Sequence, residues 1–340
     1  MPQILLKYPP PLSKDFSIYL KGGAIGLMLI AHLISSSQLN IGSVCVFTGI
    51  SCLAFYAFLS GYAHALMSEK YPDKPALLMT GKSFWLFYKK YLICCALLIP
   101  VQLLSAKINI ADTALILVPI KPNLVTDSWW YVFCYMVLCF VIFPFIRTLD
   151  RATGRAFFIT SFILTVMLIL LPMTFTMPFM PADFKNMWGS IPVLRTIMVI
   201  PYYLTGYAYY KHIRNPEKLS GVLTMLPLLF FTVFPFSAYG IAGISAINIG
   251  LSFIICAILL RLMYGISLIK LSLTFIGTHS VYMWLLHMPI YICYTKLPLP
   301  QNFGIRFPIV FTLALLGSIF LTAISKHLDR WFSYRKAPAD

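Results

Sequence analysis

The sequence predicts an all-α polytopic membrane protein with about ten transmembrane helices and both termini in the cytoplasm. Three observations support this fold class. The chain of 340 residues is 60% hydrophobic and only 11% charged, whereas a soluble domain of this length carries about a quarter charged residues. Apolar stretches close to the length of a membrane-spanning helix recur from end to end. Basic residues are concentrated in alternate connecting segments, as the positive-inside rule describes.

Ten apolar stretches have the length and composition of membrane spans. They cover about residues 16–36, 42–67, 84–105, 128–147, 156–177, 190–210, 220–238, 243–262, 278–295 and 305–325. The ninth is expected to begin late, because Gly277, Thr278, His279 and Ser280 interrupt the apolar run from Ile266. Residues 108–120 are too short to span and are expected to be re-entrant or interfacial. We expect a single domain over residues 1–340, with a short cytoplasmic tail at each end.

The basic residues orient the chain. With the N-terminus inside, the outer segments hold only six of the 26 lysines and arginines, namely Lys107, Lys121, Lys185, Arg195, Lys296 and Arg306. The net charge of +16 is therefore mainly a topology signal, and nothing in it points to nucleic acid. Part of the inner basic cluster could instead hold an anionic ligand, an interpretation that competes with simple contact to membrane lipid headgroups.

The acidic residues narrow the chemistry by their position. All ten aspartates and glutamates fall in predicted loops, tails or span ends, so no carboxylate lies in the interior of a span. Proton- and sodium-coupled transporters usually keep a carboxylate there, and a hard metal ion would need several. The pattern counts against coupled transport and metal-dependent hydrolysis, and predicts no metal site.

The first span carries one lysine and one histidine in an otherwise apolar segment, which is costly and usually functional. Lys21 and His32 are eleven residues apart, so at about 100° per residue they return to within roughly 20° of the same direction. They share one helix face and lie about 16 Å apart along the axis at ~1.5 Å per residue. Only His32 and His287 are predicted well inside the membrane, and histidine can exchange a proton near neutral pH. Either could be a general base, or a neutral histidine bonded between helices.

Four further stretches stand out by their polar, charged, glycine or aromatic residues. Tyr56, Ser60 and His64 recur every fourth residue on the second span, where Gly61, like Gly22-x-x-x-Gly26 on the first, would permit close helix approach. Lys89-Lys90 open the third span, where a plain positive-inside anchor is the simpler explanation. On the ninth span, a stripe predicted to line a cavity or helix contact comprises Ser280, Trp284, His287, Tyr291 and Tyr294. Trp129-Trp130-Tyr131 is typical of an interfacial aromatic belt.

In these stretches the chain resembles the integral-membrane acyltransferase 3 family, whose members O-acylate cell-surface glycans. The resemblance covers about residues 16–325. It rests on Lys21 and His32 with ten residues between them, Phe58-Leu-Ser60-Gly61-Tyr62, Phe87-Tyr-Lys89-Lys90-Tyr91, Trp130 with Tyr135 and Pro144, Pro201–Tyr207, and Gly277–Pro289 with Ser280, Trp284 and His287. Where the family usually has arginine, this chain has Lys21, Lys89 and Lys90, which keep the charge but lose the bidentate guanidinium.

The resemblance implies transfer of an acetyl group from cytoplasmic acetyl-CoA to a sugar hydroxyl of a bacterial surface polysaccharide, or its lipid-linked precursor, at the bacterial inner membrane. His32 would be the base, Ser60 or a ninth-span group would stabilise the oxyanion, and His287 would share in catalysis or shape the cavity. The coenzyme A phosphates would be bound by Lys21, Lys89 and Lys90. Substrate would contact Trp130, Tyr135, Ser280 and Trp284.

Two other functions stay open from the sequence. One is a transporter or flippase for a lipid-linked sugar, against which the missing intramembrane carboxylates weigh. The other is a non-catalytic membrane subunit of a glycan-assembly complex, in which the motifs would serve helix packing alone.

Overall fold

The computed structural model describes residues 12–35, 42–105, 107–153, 192–213, 256–300 and 302–334. Within these residues the fold is helical, with no β-strand. The α-helices, numbered in chain order, are α1 (Lys14–Ser35), α2 (Gly42–Lys70), α3 (Ala76–Leu104), α4 (Ile110–Leu117), α5 (Trp130–Val137), α6 (Phe143–Thr153), α7 (Pro192–Ala208), α8 (Cys256–Met263), α9 (Ser267–Thr295) and α10 (Phe303–Tyr334).

Several of these helices can cross a membrane, which makes the chain a multi-pass membrane protein. Among the described residues, four segments are long and apolar enough, at residues 14–33, 76–104, 130–151 and 303–331. Helices α8 and α9 add a fifth if the pair, bent by 118°, is one span. The spans predicted at 156–177 and 220–238, and the first part of 243–262, lie outside the described residues. The total of ten spans and the cytoplasmic termini therefore stay predictions.

Two helix starts differ from the prediction. Helix α9 is 29 residues long and begins at Ser267, so the polar residues around Gly277 do not delay it to residue 278 as predicted. Helix α3 begins at Ala76, not residue 84, and places Lys89 and Lys90 near the middle of its 29 residues instead of at its opening. In both cases these residues lower the local hydropathy without breaking the backbone hydrogen bonding, because none of them is proline and an isolated glycine costs a helix only about 1 kcal/mol.

The fourth predicted span is formed by α5 and α6 joined through a π-helical turn, Leu138–Ile142. Pro144 follows this turn, cannot donate to the preceding turn and crowds it, and a π-turn relieves that crowding. The Thr80 hydroxyl of α3 donates to the Cys139 carbonyl within the turn at 2.9 Å. The segment predicted to be too short to span forms the eight-residue α4.

Helix α1 lies at the centre of the described bundle, between α2 and α9, and crosses α9 at a glycine contact. A Cβ added to Gly22 would overlap the carbonyl of Leu273, and one added to Gly277 would overlap the carbonyl of Ile18. The two backbones therefore touch, as small residues allow inside membranes. Gly26 was predicted to share this role, and that prediction is wrong, because a Cβ there would meet no atom within 4 Å.

A second glycine contact joins α2 to α7. A Cβ on Gly61 would overlap the carbonyl of Tyr203, and one on Gly206 would overlap that of Phe58. The close approach predicted for Gly61 is confirmed. On the same pair of helices, His64 Nδ1 lies 2.7 Å from the Tyr203 hydroxyl, so this buried histidine is a packing residue between α2 and α7.

Candidate active site

Two histidines from neighbouring helices meet inside the bundle. The ring centroids of His32 on α1 and His287 on α9 lie 5.1 Å apart, with 43° between the ring planes. Because Gly22 contacts α9 near Gly277 while His32 contacts it further along, at His287, the two helices run parallel. The face that the spacing predicted for His32 is thus turned towards α9.

The hydrogen bonding of His287 determines which of its ring nitrogens can take a proton. Nδ1 lies 2.6 Å from the Trp284 carbonyl oxygen. A carbonyl can only accept, so Nδ1 carries the hydrogen and Nε2 keeps its lone pair in the neutral ring. Nε2 is buried and has no hydrogen-bond partner among the described residues. This arrangement holds an uncharged imidazole in one orientation with an acceptor nitrogen to spare, which is what a general base or proton-sharing partner needs.

The three predicted lysines come together from two helices. Lys21 of α1 interacts electrostatically with Lys90 of α3, which is also near Lys89. The Lys90 ammonium lies 5.5 Å from the centroid of the Tyr282 ring. Lys89 is bound by both carboxylate oxygens of Asp329, each 2.6 Å from Nζ. The three lysines therefore form one group of like charges, of which Lys89 is paired with a carboxylate.

Sequence reasoning missed two further members of this basic cluster. His279 of α9 interacts electrostatically with Lys90 and with Lys326 of α10, and its Nδ1 lies 3.2 Å from the Thr322 hydroxyl. The only signal in the sequence was the position of His279 next to Ser280, on the helix that also carries His287. Lys326 could not be assigned without the α9–α10 packing.

Aromatic rings occupy the neighbourhood of the histidine pair and the lysines. The Trp284 ring stacks near Phe87 at 6.1 Å and meets the edge of Tyr131 at 6.0 Å. Tyr135 packs edge-on against Phe87 at 4.9 Å. The predicted substrate residues Trp284 and Tyr135 therefore share one aromatic group, together with Tyr131, which the prediction omitted.

The predicted interfacial belt at Trp129-Trp130-Tyr131 is wrong. All three side chains are buried within the protein, and Trp129 is fully inaccessible. The Trp129 indole N–H donates to the Leu285 carbonyl at 2.9 Å, while Trp130 meets the Tyr131 ring edge-on at 5.9 Å. The composition of a membrane-interface belt and of a buried aromatic contact is the same, because both pair a large apolar ring with one hydrogen-bond donor.

The two predicted serines differ in their surroundings. Ser280 is buried on the inward stripe of α9 and interacts with the Tyr56 side chain. The Tyr56 hydroxyl also donates to the Lys21 carbonyl at 3.4 Å, which connects this group to the basic cluster. The Ser60 hydroxyl donates to the Tyr56 carbonyl of its own helix at 2.8 Å. Its proton is therefore engaged with the backbone, and its predicted role as an oxyanion donor would require a rotation about χ1.

Comparison with known proteins gives one match. A family model described as an acyltransferase domain matches residues 15–325, nearly the whole chain. No curated protein and no solved structure matches the chain.

Proposed function

The chain belongs to this acyltransferase family, and from that premise we propose that it is an O-acetyltransferase of the bacterial inner membrane. The family implies a membrane-associated acyltransferase activity. The donor in our proposal is cytoplasmic acetyl-CoA, and the acceptor is a sugar hydroxyl of a surface polysaccharide, such as an O-antigen, capsule or exopolysaccharide, or of its lipid-linked precursor.

One observation carries the proposal: the two helices that hold the histidine pair also contribute to the basic cluster, Lys21 from α1 and His279 from α9. On α1, Lys21 precedes His32 by about 16 Å at ~1.5 Å rise per residue. On α9, which contacts α1 directly and runs parallel to it, His279 near the lysines precedes His287. Acyl-CoA has a matching geometry, because its phosphates and its reactive thioester lie at opposite ends of an extended arm. Cations near one end of the helices could bind the phosphates, and a base further along the same helices could act at the thioester.

The proposed reaction is a direct transfer. His32 removes the proton from the sugar hydroxyl as its oxygen attacks the thioester carbonyl carbon. A carbon–oxygen bond forms, the carbon–sulfur bond breaks, and the coenzyme A thiolate leaves and takes up the proton. His287 keeps Nε2 as an acceptor beside His32, so the two imidazoles can share the proton during the step.

The remaining site residues have roles consistent with their surroundings. Lys21, Lys89 and Lys90 would bind the phosphates of acetyl-CoA. Ser280, which is buried on the inward stripe of α9 beside Tyr56, and Ser60 are the candidate oxyanion donors.

The aromatic residues complete the proposed site. Trp130, Tyr135 and Trp284, with Ser280, would line the space for the acceptor. Such a mostly apolar lining with a few polar groups is typical of small-molecule sites.

The test is mass spectrometry of the host's surface polysaccharide with the gene intact, deleted, or carrying His32→Ala. We expect the deletion to remove one acetyl mass per repeat, and His32→Ala to reduce acetylation by ~10²- to 10⁴-fold, the usual contribution of a positioned base. His327→Ala is the matched control, since His327 is exposed on α10, and it should leave acetylation intact. An unchanged glycan in the deletion strain would refute the proposal and favour transport. Normal acetylation in accumulated His32→Ala protein would refute His32 as the base.

A further inference from the structure

The C-terminal end of α1, beyond His32, meets α9 and α10 in a small core of its own. Leu33, Tyr294 and Val310, one from each helix, are its buried members. Arg306, in the first turn of α10, is only 2% exposed and lies at this junction. The reaction proposed above gives this arginine no part, and a guanidinium is seldom buried without a specific task.

The Arg306 guanidinium contacts both helices that carry the histidine pair. Nη2 donates to the carbonyl of Leu33, the residue after His32, at 2.7 Å. Nη1 reaches the Tyr291 hydroxyl of α9 at 3.5 Å, and the guanidinium carbon lies 5.3 Å from the centre of that ring. Tyr291 is one helical turn beyond His287. A single planar group therefore connects α1 and α9 immediately beyond their two imidazoles.

Arg306 is itself fixed by the way α10 begins. The Asn302 side chain accepts from the backbone N–H of Ile305 at 2.9 Å, and the Asn302 carbonyl accepts from that of Arg306 at 3.0 Å. Within the α9–α10 connection, the Tyr294 hydroxyl donates to the Pro300 carbonyl at 2.5 Å. The first turn of α10 from which the arginine projects is thus capped.

The charge of Arg306 also suits its position. The carbonyls in the last turn of a helix carry the negative end of its dipole, so a cation beside the Leu33 carbonyl is favourable. The guanidinium can satisfy a carbonyl and an aromatic hydroxyl at once because its donors form a fixed fork, which a lysine ammonium lacks.

We propose that Arg306 is a positioning residue, which sets the distance and orientation between His32 and His287 for acyl transfer. This inference rests on the proposed function above. Arg306 acts through the backbone of α1 and the Tyr291 side chain of α9. Losing this connection lets the two rings separate, and a misplacement of about 1 Å at reacting groups costs on the order of 10²-fold in rate.

The experiment compares Arg306→Met and Arg306→Lys in the purified full-length protein. The substrates are radiolabelled acetyl-CoA and the host's own surface polysaccharide after mild alkaline removal of acetyl groups. For Arg306→Met we expect kcat per folded protein to fall by about 10²-fold, with an unchanged KM for acetyl-CoA. Arg306→Lys keeps the charge without the fork and should give an intermediate kcat. The pH dependence of kcat should change in both variants, since each imidazole affects the charge of the other only while the two rings are held together, 5.1 Å between centroids.

Arg147→Met is the matched control. Arg147 is also 2% exposed, and its guanidinium donates to the carbonyls of Tyr71 and Pro72 at 3.0 and 2.7 Å, so it ties α6 to the α2–α3 connection instead of to the histidines. We expect Arg147→Met to lower the melting temperature while kcat per folded protein and its pH dependence stay unchanged.

Three results would overturn the inference: an unchanged kcat in Arg306→Met, a fall in kcat with no change in its pH dependence, or an equal fall in Arg147→Met. If Arg306→Met does not accumulate, Arg306→Lys decides by the same criteria. His32→Ala, assayed in parallel, separates the two proposals. Full turnover in His32→Ala would refute the proposed mechanism itself. Loss of turnover in His32→Ala together with normal turnover in the Arg306 variants would refute only the positioning role.

Discussion

Replacement of Gly277 by alanine tests whether the α1–α9 contact sets the geometry of the site. The new Cβ would overlap the Ile18 carbonyl oxygen and lie 2.8 Å from its carbonyl carbon. Carbon atoms pack at about 3.5–4.0 Å, and a backbone carbonyl cannot rotate away as a side chain can, so the helices must separate by roughly 1 Å. Overpacking of this kind costs about 1–3 kcal/mol. The same shift displaces His32 from His287 and is expected to reduce turnover by on the order of 10²-fold.

The assay is the melting temperature of the purified protein in detergent, followed by turnover with acetyl-CoA per folded protein. Gly26→Ala is the control from α1, since its Cβ would enter open space. Its turnover should match that of the unaltered protein, and its melting temperature should be equal or slightly higher, because alanine is the better helix former. Gly22→Ala disturbs the same contact from the other side, so the Gly22→Ala, Gly277→Ala double variant should lose less stability than the sum of the two single variants. Equal melting temperatures for Gly277→Ala and Gly26→Ala would refute the reasoning.

Three further variants test separate parts of the site. Lys90→Gln should raise the KM for acetyl-CoA about tenfold at low salt, because one charge-assisted phosphate contact is lost, and the difference should shrink as salt is added; an unchanged KM would exclude Lys90 from donor binding. Asp329→Asn should lower the same KM by up to about fivefold, since it frees Lys89 from an exposed ion pair worth ~0.2–1 kcal/mol; a higher KM would contradict this. Trp129→Phe removes the bond to the Leu285 carbonyl and should reduce stability by about 1 kcal/mol in a denaturant titration, with turnover per folded protein retained.

The parts of the fold that sequence predicted well depend on helix periodicity. The eleven-residue interval between Lys21 and His32 fixes their common face on any regular helix, and α1 is regular across it. The inward stripe on α9 was predictable for the same reason, since polar and aromatic residues at helical spacing avoid lipid. Ser280, Trp284 and His287 are indeed buried.

Other features depend on which helices touch, and periodicity carries no information about that. Gly22 and Gly26 are equivalent as a sequence pair, yet only Gly22 meets a backbone, because parallel helices that cross touch over a short length. The buried Trp129 and a membrane-interface tryptophan look alike in sequence, and the distinction comes from the Leu285 carbonyl of a helix far along the chain. From the sequence, Lys326 and Arg306 served only to orient the chain in the membrane, because their partners lie on other helices, α9 and α1.

The described contacts hold α1 at two points, one near each end of the segment between Lys21 and His32. Near the lysines it is pressed against α9 at Gly22 and Gly277, and beyond His32 it is held by the Arg306 guanidinium. A helix fixed at two points and regular between them cannot change its length, so the separation of Lys21 from His32 is set by the rise of about 1.5 Å per residue. In the proposed reaction that separation would determine where the thioester lies when the phosphates are bound. Lengthening α1 by inserting one full turn between Gly26 and His32 would then impair transfer while leaving donor binding intact.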